Sequence, residues 1–135
     1  MGATATLTAC LVMAANMYGL PPAALKGIYL AEGGTAGQEV LNTNGSHDLG
    51  PMQINTLWVP ELAKIWGMSE HETRAAIRDN ICTNTQVAAW ILKNHVLDTG
   101  SLSTGIARYH SRTTHLGQGY KERVINRMIE SGLVE

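Results

Sequence analysis

The sequence predicts a single, mostly α-helical domain interrupted by one glycine-rich insertion. Over most of the chain, apolar residues recur at the 3.6-residue spacing of a helix. Between residues 33 and 55 this spacing stops, and five glycines and an Asn-Gly pair take its place. The chain has 135 residues, of which 44% are hydrophobic and 16% charged. This composition is typical of a globular protein, and the length is enough for one continuous core.

Two helices are predicted before the insertion. The first ends near Gly19, and Pro21-Pro22 then breaks the chain and opens the second helix. The second helix ends at Gly33-Gly34, since glycine is the usual residue after a helix C-terminus. Their apolar faces are formed by Leu7, Leu11, Ala14 and Tyr18 in the first helix, and by Leu25, Ile28 and Tyr29 in the second.

Glu32 continues the apolar face of the second helix at a position where another core side chain is expected. It also lies in the last turn, where the helix dipole disfavours a second negative charge. Apolar surroundings and the dipole both favour the protonated carboxyl group, which makes Glu32 a candidate general acid. A helix-terminal glutamate turned to solvent is the alternative interpretation.

The insertion from Gly33 to Asn55 is predicted to be a long loop or a small two-stranded hairpin. Asn44-Gly45 is the dipeptide favoured in tight hairpin turns. A loop of this length in a small domain usually has a function.

Helical spacing resumes after the insertion and continues to the end of the chain. Ser69 and Glu72 form a capping box at the start of one short helix, and Ser101 or Ser103 can cap another. The predicted helices run from Leu57 to Gly67 with Pro60 in the first turn, from Ser69 to about Asp79, and from Ile81 to Asp98. Another short helix reaches Tyr109. After a polar loop from Arg112 to Gly119, a final helix is marked by Tyr120, Val124, Met128 and Ile129.

Charge and hydropathy exclude several classes of function. The formal net charge is −1, so there is no broad basic field that would attract nucleic acid or an anionic membrane. No apolar run approaches the roughly 18 to 20 residues that a membrane-spanning helix needs. The start of the chain has no basic segment before its apolar stretch, so we expect no signal peptide in the chain as given. Export of a longer precursor, with the leader removed or omitted here, stays open.

The sequence offers no pattern for a metal or a cofactor. Its five histidines have no metal-ligand spacing, and its glycines form neither a phosphate loop nor a dinucleotide fingerprint. Cys10 and Cys82 are 72 positions apart and match no zinc motif. A disulfide closing such a loop would contribute roughly 4 kcal/mol. Two unrelated buried thiols are an equally good interpretation of the spacing.

Three segments together resemble the lytic transglycosylases of the lysozyme-like fold, whose motifs read Glu-Ser, Gly-Leu-Met-Gln and Ala-Tyr-Asn in this order. The segments here are Ala31-Glu32-Gly33, Gly50-Pro51-Met52-Gln53-Ile54-Asn55 and Ala107-Arg108-Tyr109-His110. Residues 44–50, 80–84 and 88–92 extend the similarity, which covers roughly positions 8 to 125. These segments look closest to the small transglycosylases that accompany conjugation and type IV or type III secretion machines.

This sequence departs from the family pattern around the predicted site. Gly33 replaces the serine that usually follows the catalytic glutamate, and Pro51 replaces leucine. Arg108 and His110 alter the Ala-Tyr-Asn motif. Without the serine hydroxyl, the carboxyl group needs another hydrogen-bond partner, and Tyr109 is the expected substitute.

The resemblance implies cleavage of the bond between N-acetylmuramic acid and N-acetylglucosamine in peptidoglycan, without a cofactor. Glu32 would give its proton to the leaving oxygen and then remove a proton from the 6-hydroxyl of the sugar, which closes a 1,6-anhydro ring. By resemblance, Gln53, Asn55 and Ser46 would contact the glycan, Ser46 at an N-acetyl group. Tyr109 would hydrogen-bond Glu32, and His110 would contact substrate.

The resemblance also implies a periplasmic location, and therefore a disulfide between Cys10 and Cys82. The implied partners are glycan strands and components of a secretion or conjugation machine. The predicted organisation is one lysozyme-like transglycosylase domain over residues 1–135, with the glycine-rich loop or hairpin directly after the catalytic helix.

Three other functions stay open. A hydrolytic muramidase would need a second carboxylate. Asp48 and Glu39 are the nearest in sequence, although we expect Asp48 to be a loop residue bonded to its own backbone and Glu39 to be solvated. A non-catalytic peptidoglycan-binding assembly component would explain the altered motif residues Gly33 and His110. A helical interaction module would have no affinity for glycan.

Overall fold

The chain folds into a mostly helical domain with a small antiparallel sheet. The structure is a computed structural model, which describes residues 3–110 together with residues 126 and 128. In chain order the described elements are α1 (Ala3–Tyr18), α2 (Pro22–Glu32), β1 (Glu39–Leu41), β2 (His47–Leu49), β3 (Ile54–Asn55), a 3₁₀ turn (Thr56–Trp58), α3 (Val59–Trp66), α4 (Glu70–Asp79), α5 (Ile81–Thr99) and α6 (Leu102–His110).

The helices begin and end close to where their sequence signals lie. The Ser69 hydroxyl accepts a hydrogen bond from the backbone N–H of Glu72 at 3.0 Å, which confirms the predicted cap of α4. Ser101 caps α6 in the same way by accepting from the N–H of Thr104 at 3.1 Å. The predicted loop after Arg112 and the final helix lie outside the described residues, apart from the helical positions 126 and 128.

Helix α5 is at the centre of the core. Its buried apolar residues include Val87, Ala88 and Leu92, and both α1 and α6 pack along it. Gly105 of α6 permits a close approach, because a Cβ atom at this position would lie 2.8 Å from Cγ2 of Val96. Such crossings require a residue without a side chain.

A disulfide joins the first helix to the central one. Cys10 of α1 and Cys82 of α5 are bonded, with their Cα atoms 4.9 Å apart. The predicted pairing is therefore confirmed. The bond ties together two helices that the insertion separates in sequence.

The insertion forms a three-stranded antiparallel sheet with the strand order β1-β2-β3. The predicted hairpin is its first pair, in which Val40 lies opposite Asp48. The third strand was not predicted, since Ile54-Asn55 is too short to show a strand pattern. It brings Asn55 opposite Asp48 across the sheet.

The insertion is held against the helices by close backbone contact. A Cβ atom at Gly34 would lie 2.1 Å from the carbonyl oxygen of Gly50, so only glycine fits there. The N–H of Gly34 donates to the carbonyl oxygen of Pro51 at 3.2 Å. The end of α2 is thus fixed to the loop before β3.

Glu39 makes a second attachment and is not solvated as predicted. Its carboxylate accepts from Nη2 of Arg74 at 2.6 Å and from Nη1 of Arg78 at 2.8 Å, both on α4. Hydrogen bonds from these two guanidinium groups lower the pKa of Glu39 from 4.5 to about 2. No local sequence signal marks this pairing, because the partners are 35 and 39 residues away.

Helices of the described region are all too short or too polar to span a membrane.

Candidate active site

A cleft of about 470 Å³ lies between the sheet and the helices, and it collects most of the predicted site. Five of the six residues proposed from sequence as catalytic or glycan-contacting line it: Glu32, Ser46, Gln53, Asn55 and Tyr109. The side chain of the sixth, His110, lies outside the described part of the chain. Other residues that were not predicted to contact glycan also line the cleft: Asn42, Thr43, Asn44, Asp48, Ile54, Trp58 and Ile91.

Glu32 is the last residue of α2, where the buried face of the helix reaches the cleft. Gly33 follows in the left-handed conformation with φ 65°, and its N–H donates to the carbonyl oxygen of Tyr29. This is a common way to end a helix at a glycine. Leu25 and Ile28 on the same face are fully buried, whereas Glu32 is partly buried. The predicted buried stripe therefore ends in a carboxyl group at the cleft wall.

Tyr109 reaches the cleft from α6, and its hydroxyl group makes a hydrogen bond to the backbone. The hydroxyl donates to the backbone carbonyl oxygen of Met52 at 2.9 Å. The predicted hydrogen bond between Glu32 and Tyr109 stays a prediction. The charge of Glu32 acts on the same hydroxyl group.

The hydroxyl of Tyr109 is held in its neutral form. Burial raises the pKa of Tyr109 well above its usual value, and the negative charges of Glu32 and Asp48 raise it further. Both carboxylates are thus close enough to act on the same hydroxyl. Tyr109 can serve this site as a neutral hydrogen-bonding group.

Ser46 belongs to a hydrogen-bond network at the turn between β1 and β2. Its hydroxyl donates to Oδ1 of Asn44 at 2.6 Å and accepts from Nδ2 of Asn42 at 3.2 Å and of Asn55 at 3.0 Å. One donated and two accepted bonds use the full capacity of a hydroxyl group. Ser46 is 9% exposed, so it shapes the cleft wall more than it offers a free group to a ligand.

Asp48 lies on β2 with its carboxylate held from both sides. Oδ1 accepts from Nδ2 of Asn42 and from Nδ2 of Asn55, each at 3.1 Å. The prediction that Asp48 would bond its own backbone in a loop is therefore wrong. Strand pairing brings Asn55 beside it, and this pairing was not visible in the sequence. Among the described residues, Oδ2 receives no hydrogen bond.

Gln53 adopts a backbone conformation that is rare for its residue type. Its φ is 54°, and among the described residues it is the one position other than glycine with a positive φ. Its side-chain Nε2 donates to the carbonyl oxygen of Gly50 at 2.9 Å. Left-handed backbone at a non-glycine residue costs energy and often occurs at binding sites. Here it turns the chain into β3 beside the cleft.

Trp58 adds an aromatic wall to the cleft. The indole of Trp58 contacts the rings of Trp90 and His95 edge to face, with ring centroids 5.5 Å and 6.1 Å apart. These contacts fix the ring while one part of it borders the cleft. The only sign in the sequence that Trp58 borders the cleft was its position three residues after Asn55.

The described side chains that line the cleft are mainly polar. Among the described residues that line it, two are acidic and none is basic, and the others are amides, hydroxyls, aromatic rings and isoleucines. The described residues include no group of three histidine, cysteine or acidic side chains that could hold a metal ion.

No protein-family model matches the sequence, and comparison with curated proteins also finds no match.

Proposed function

We propose that this protein is a peptidoglycan lytic transglycosylase with a lysozyme-like fold. It cleaves the β-1,4 bond between N-acetylmuramic acid and N-acetylglucosamine and leaves a 1,6-anhydro end. The observation that carries the proposal is that Glu32, Gln53 and Tyr109, from three separate motifs, line one cleft. A small α-helical domain with a short sheet beside the catalytic helix supports it at the level of the fold.

The proposed reaction needs one carboxyl group that works twice. Glu32 first donates its proton to the leaving glycosidic oxygen. The resulting carboxylate then removes the proton of the sugar 6-hydroxyl, and this oxygen attacks the anomeric carbon to close the ring. Because the substrate supplies the nucleophile, the protein does not need one. The position of Glu32 at the cleft wall is compatible with both steps.

The remaining cleft residues would bind the glycan. Gln53 lines the same cleft as Glu32 and offers an amide, and Trp58 offers an apolar ring against which a sugar can pack. Asn42, Ser46 and Asn55 are engaged with one another and with Asp48, so they would set the shape of the wall. His110 is retained as a proposed substrate contact from the resemblance alone.

We place this activity in the periplasm, next to a secretion or conjugation machine that needs a local opening in the cell wall. The disulfide between Cys10 and Cys82 is compatible with an oxidising compartment. The link to a machine rests on the resemblance of the sequence motifs.

A hydrolytic muramidase is the second candidate, and one observation favours it. Asp48 lines the same cleft as Glu32, and two amide donors hold its carboxylate in place. Most glycosidases divide the work of acid and of nucleophile or base between two such carboxyl groups. In that case water, and not the 6-hydroxyl, would complete the reaction.

The products distinguish the candidates. Purified sacculi are digested with the protein, and the released muropeptides are weighed by mass spectrometry against sacculi incubated without protein. We expect 1,6-anhydro ends, which are lighter than reducing ends by one water. Reducing ends would assign a muramidase. Binding to sacculi without release of any muropeptide would support a non-catalytic assembly component.

A further inference from the structure

Asn84 is a fully buried polar residue on α5 that supports the cleft without lining it. Its Oδ1 accepts from the backbone N–H of Met52 at 2.8 Å. Its Nδ2 donates to the carbonyl oxygens of Leu49 and Ile77, both at 2.9 Å. Two of these three bonds end on the last residue of β2 and on the loop that follows it, more than 30 residues away in sequence.

The loop is built around this side chain. Gly50 has φ 67°, and a Cβ atom there would lie 2.5 Å from Nδ2 of Asn84. Residue 50 must therefore be glycine for Asn84 to hydrogen-bond both Leu49 and Met52. Met52, which Asn84 holds through its N–H, in turn accepts the hydroxyl proton of Tyr109 through its carbonyl oxygen.

We propose that Asn84 is a positioning residue for the reaction, acting through Met52 on Tyr109. This inference rests on the proposed function. The chain of contacts runs from the Asn84 amide to the Met52 backbone and from there to the phenol, whose hydroxyl lies within reach of the charge of Glu32. Removing the amide leaves buried backbone groups without partners, so the loop must move to hydrate them. Tyr109 and Gln53 would move with it.

A kinetic double-mutant cycle tests the route of action. Asn84→Ala and Tyr109→Phe are made singly and together, and kcat and KM for glycan cleavage are measured per folded protein. We expect Asn84→Ala to lower kcat about tenfold in the wild type, since small displacements in an active site are costly. In the Tyr109→Phe background the same change should cost less than about threefold, because the contact it supports is already lost. Equal losses in both backgrounds would overturn the proposal.

The matched control is Thr85→Val in the next position of α5. Thr85 is also fully buried, but its hydroxyl donates to the carbonyl oxygen of Cys82 within the same helix. It should lower stability without changing kcat. A loss of kcat in this variant as large as in Asn84→Ala would assign Asn84 a merely structural role.

A measurement on the unmodified protein covers the case in which Asn84→Ala does not fold. By hydrogen exchange, the N–H of Met52 should be protected about as well as the amides of α5, because a buried side chain binds it. Exchange at the rate of the exposed turn at Asn44 and Gly45 would overturn the proposal. This measurement does not depend on turnover. Absence of activity would contradict the proposed function, and exchange at the N–H of Met52 would still test the role of Asn84 in the loop.

Discussion

At the scale of single residues, neighbouring groups fix the hydrogen bonds of the candidate site. The Tyr109 hydroxyl donates a hydrogen bond to the carbonyl oxygen of Met52 and stays neutral beside two acidic groups. Asp48 is fixed by two amide donors. Glu32 lies where a buried helical face opens into the cleft. The residue-scale question is therefore which of the two carboxyl groups the reaction requires.

Replacing Asp48 with asparagine answers that question. Asparagine has the same shape but cannot act as a carboxylate. If the sugar 6-hydroxyl is the nucleophile, we expect the initial rate of sacculus digestion to fall less than about a hundredfold, which is the lower end of what the loss of one electrostatic contact costs. The exposed Glu61 on α3 supplies the control variant, Glu61→Gln, which should keep the full rate. A loss of more than about a thousandfold in Asp48→Asn would contradict the one-carboxylate mechanism.

Some residues of the candidate site were predictable from the sequence, and others were not. Glu32, Gln53, Asn55 and Tyr109 could be proposed because they stand in ordered motifs, and they do share a cleft. The surroundings of Asp48 could not be proposed, because they depend on strand pairing. Asn84 has no local signal either, since two of its three partners, Leu49 and Met52, lie more than 30 residues away.

At the scale of elements, the sheet is attached to the helical body by a few specific contacts. Glu39 of β1 binds two arginines of α4, and Gly34 contacts the loop before β3. The helices were predictable because caps and periodicity are local signals. The position of the sheet was not, because an ion pair over more than 30 residues leaves no periodic trace in the sequence.

The ion pair predicts a dependence of stability on pH. The folded state lowers the pKa of Glu39 from 4.5 to about 2, so its contribution is complete above pH 4.5 and is lost as the pH falls towards 2. At pH 7 we expect Glu39→Gln to lower the free energy of unfolding by about 1 to 2 kcal/mol, allowing for partial exposure. Urea unfolding at several pH values measures this.

The difference between the two proteins should shrink as the pH is lowered from 4.5 to 2, and also when the ionic strength at pH 7 is raised to about 1 M. A difference that stays constant over the acidic range would mean that the carboxylate of Glu39 does not stabilise the fold through its charge.

At the scale of the whole molecule, the disulfide and the central helix hold the cleft-forming parts together. Cys10 and Cys82 connect α1 to the start of α5, which also carries Asn84. Composition and periodicity were enough to predict a mostly helical fold. The pairing of the cysteines followed from the resemblance, since their spacing alone is equally compatible with free thiols.

Reducing this bond should cost the molecule much of its stability. With 72 positions between the cysteines, the constraint on the unfolded chain is worth about 4 kcal/mol. We expect reductant to lower the free energy of urea unfolding by about this amount in the wild type. The double variant Cys10→Ala/Cys82→Ala should be insensitive to reductant. Equal unfolding curves for the wild type with and without reductant would show that the bond does not stabilise the fold.

The central claim is that the carboxyl group of Glu32 provides the proton for glycan cleavage, and one comparison of rates tests it most directly. Glu32→Gln keeps the shape of the side chain but cannot donate the proton, and its turnover of purified sacculi is measured beside that of the wild type, with equal thermal unfolding as proof of an intact fold. Loss of general acid catalysis should lower the rate at least about a hundredfold. A Glu32→Gln protein that digests sacculi at the wild-type rate would contradict the account.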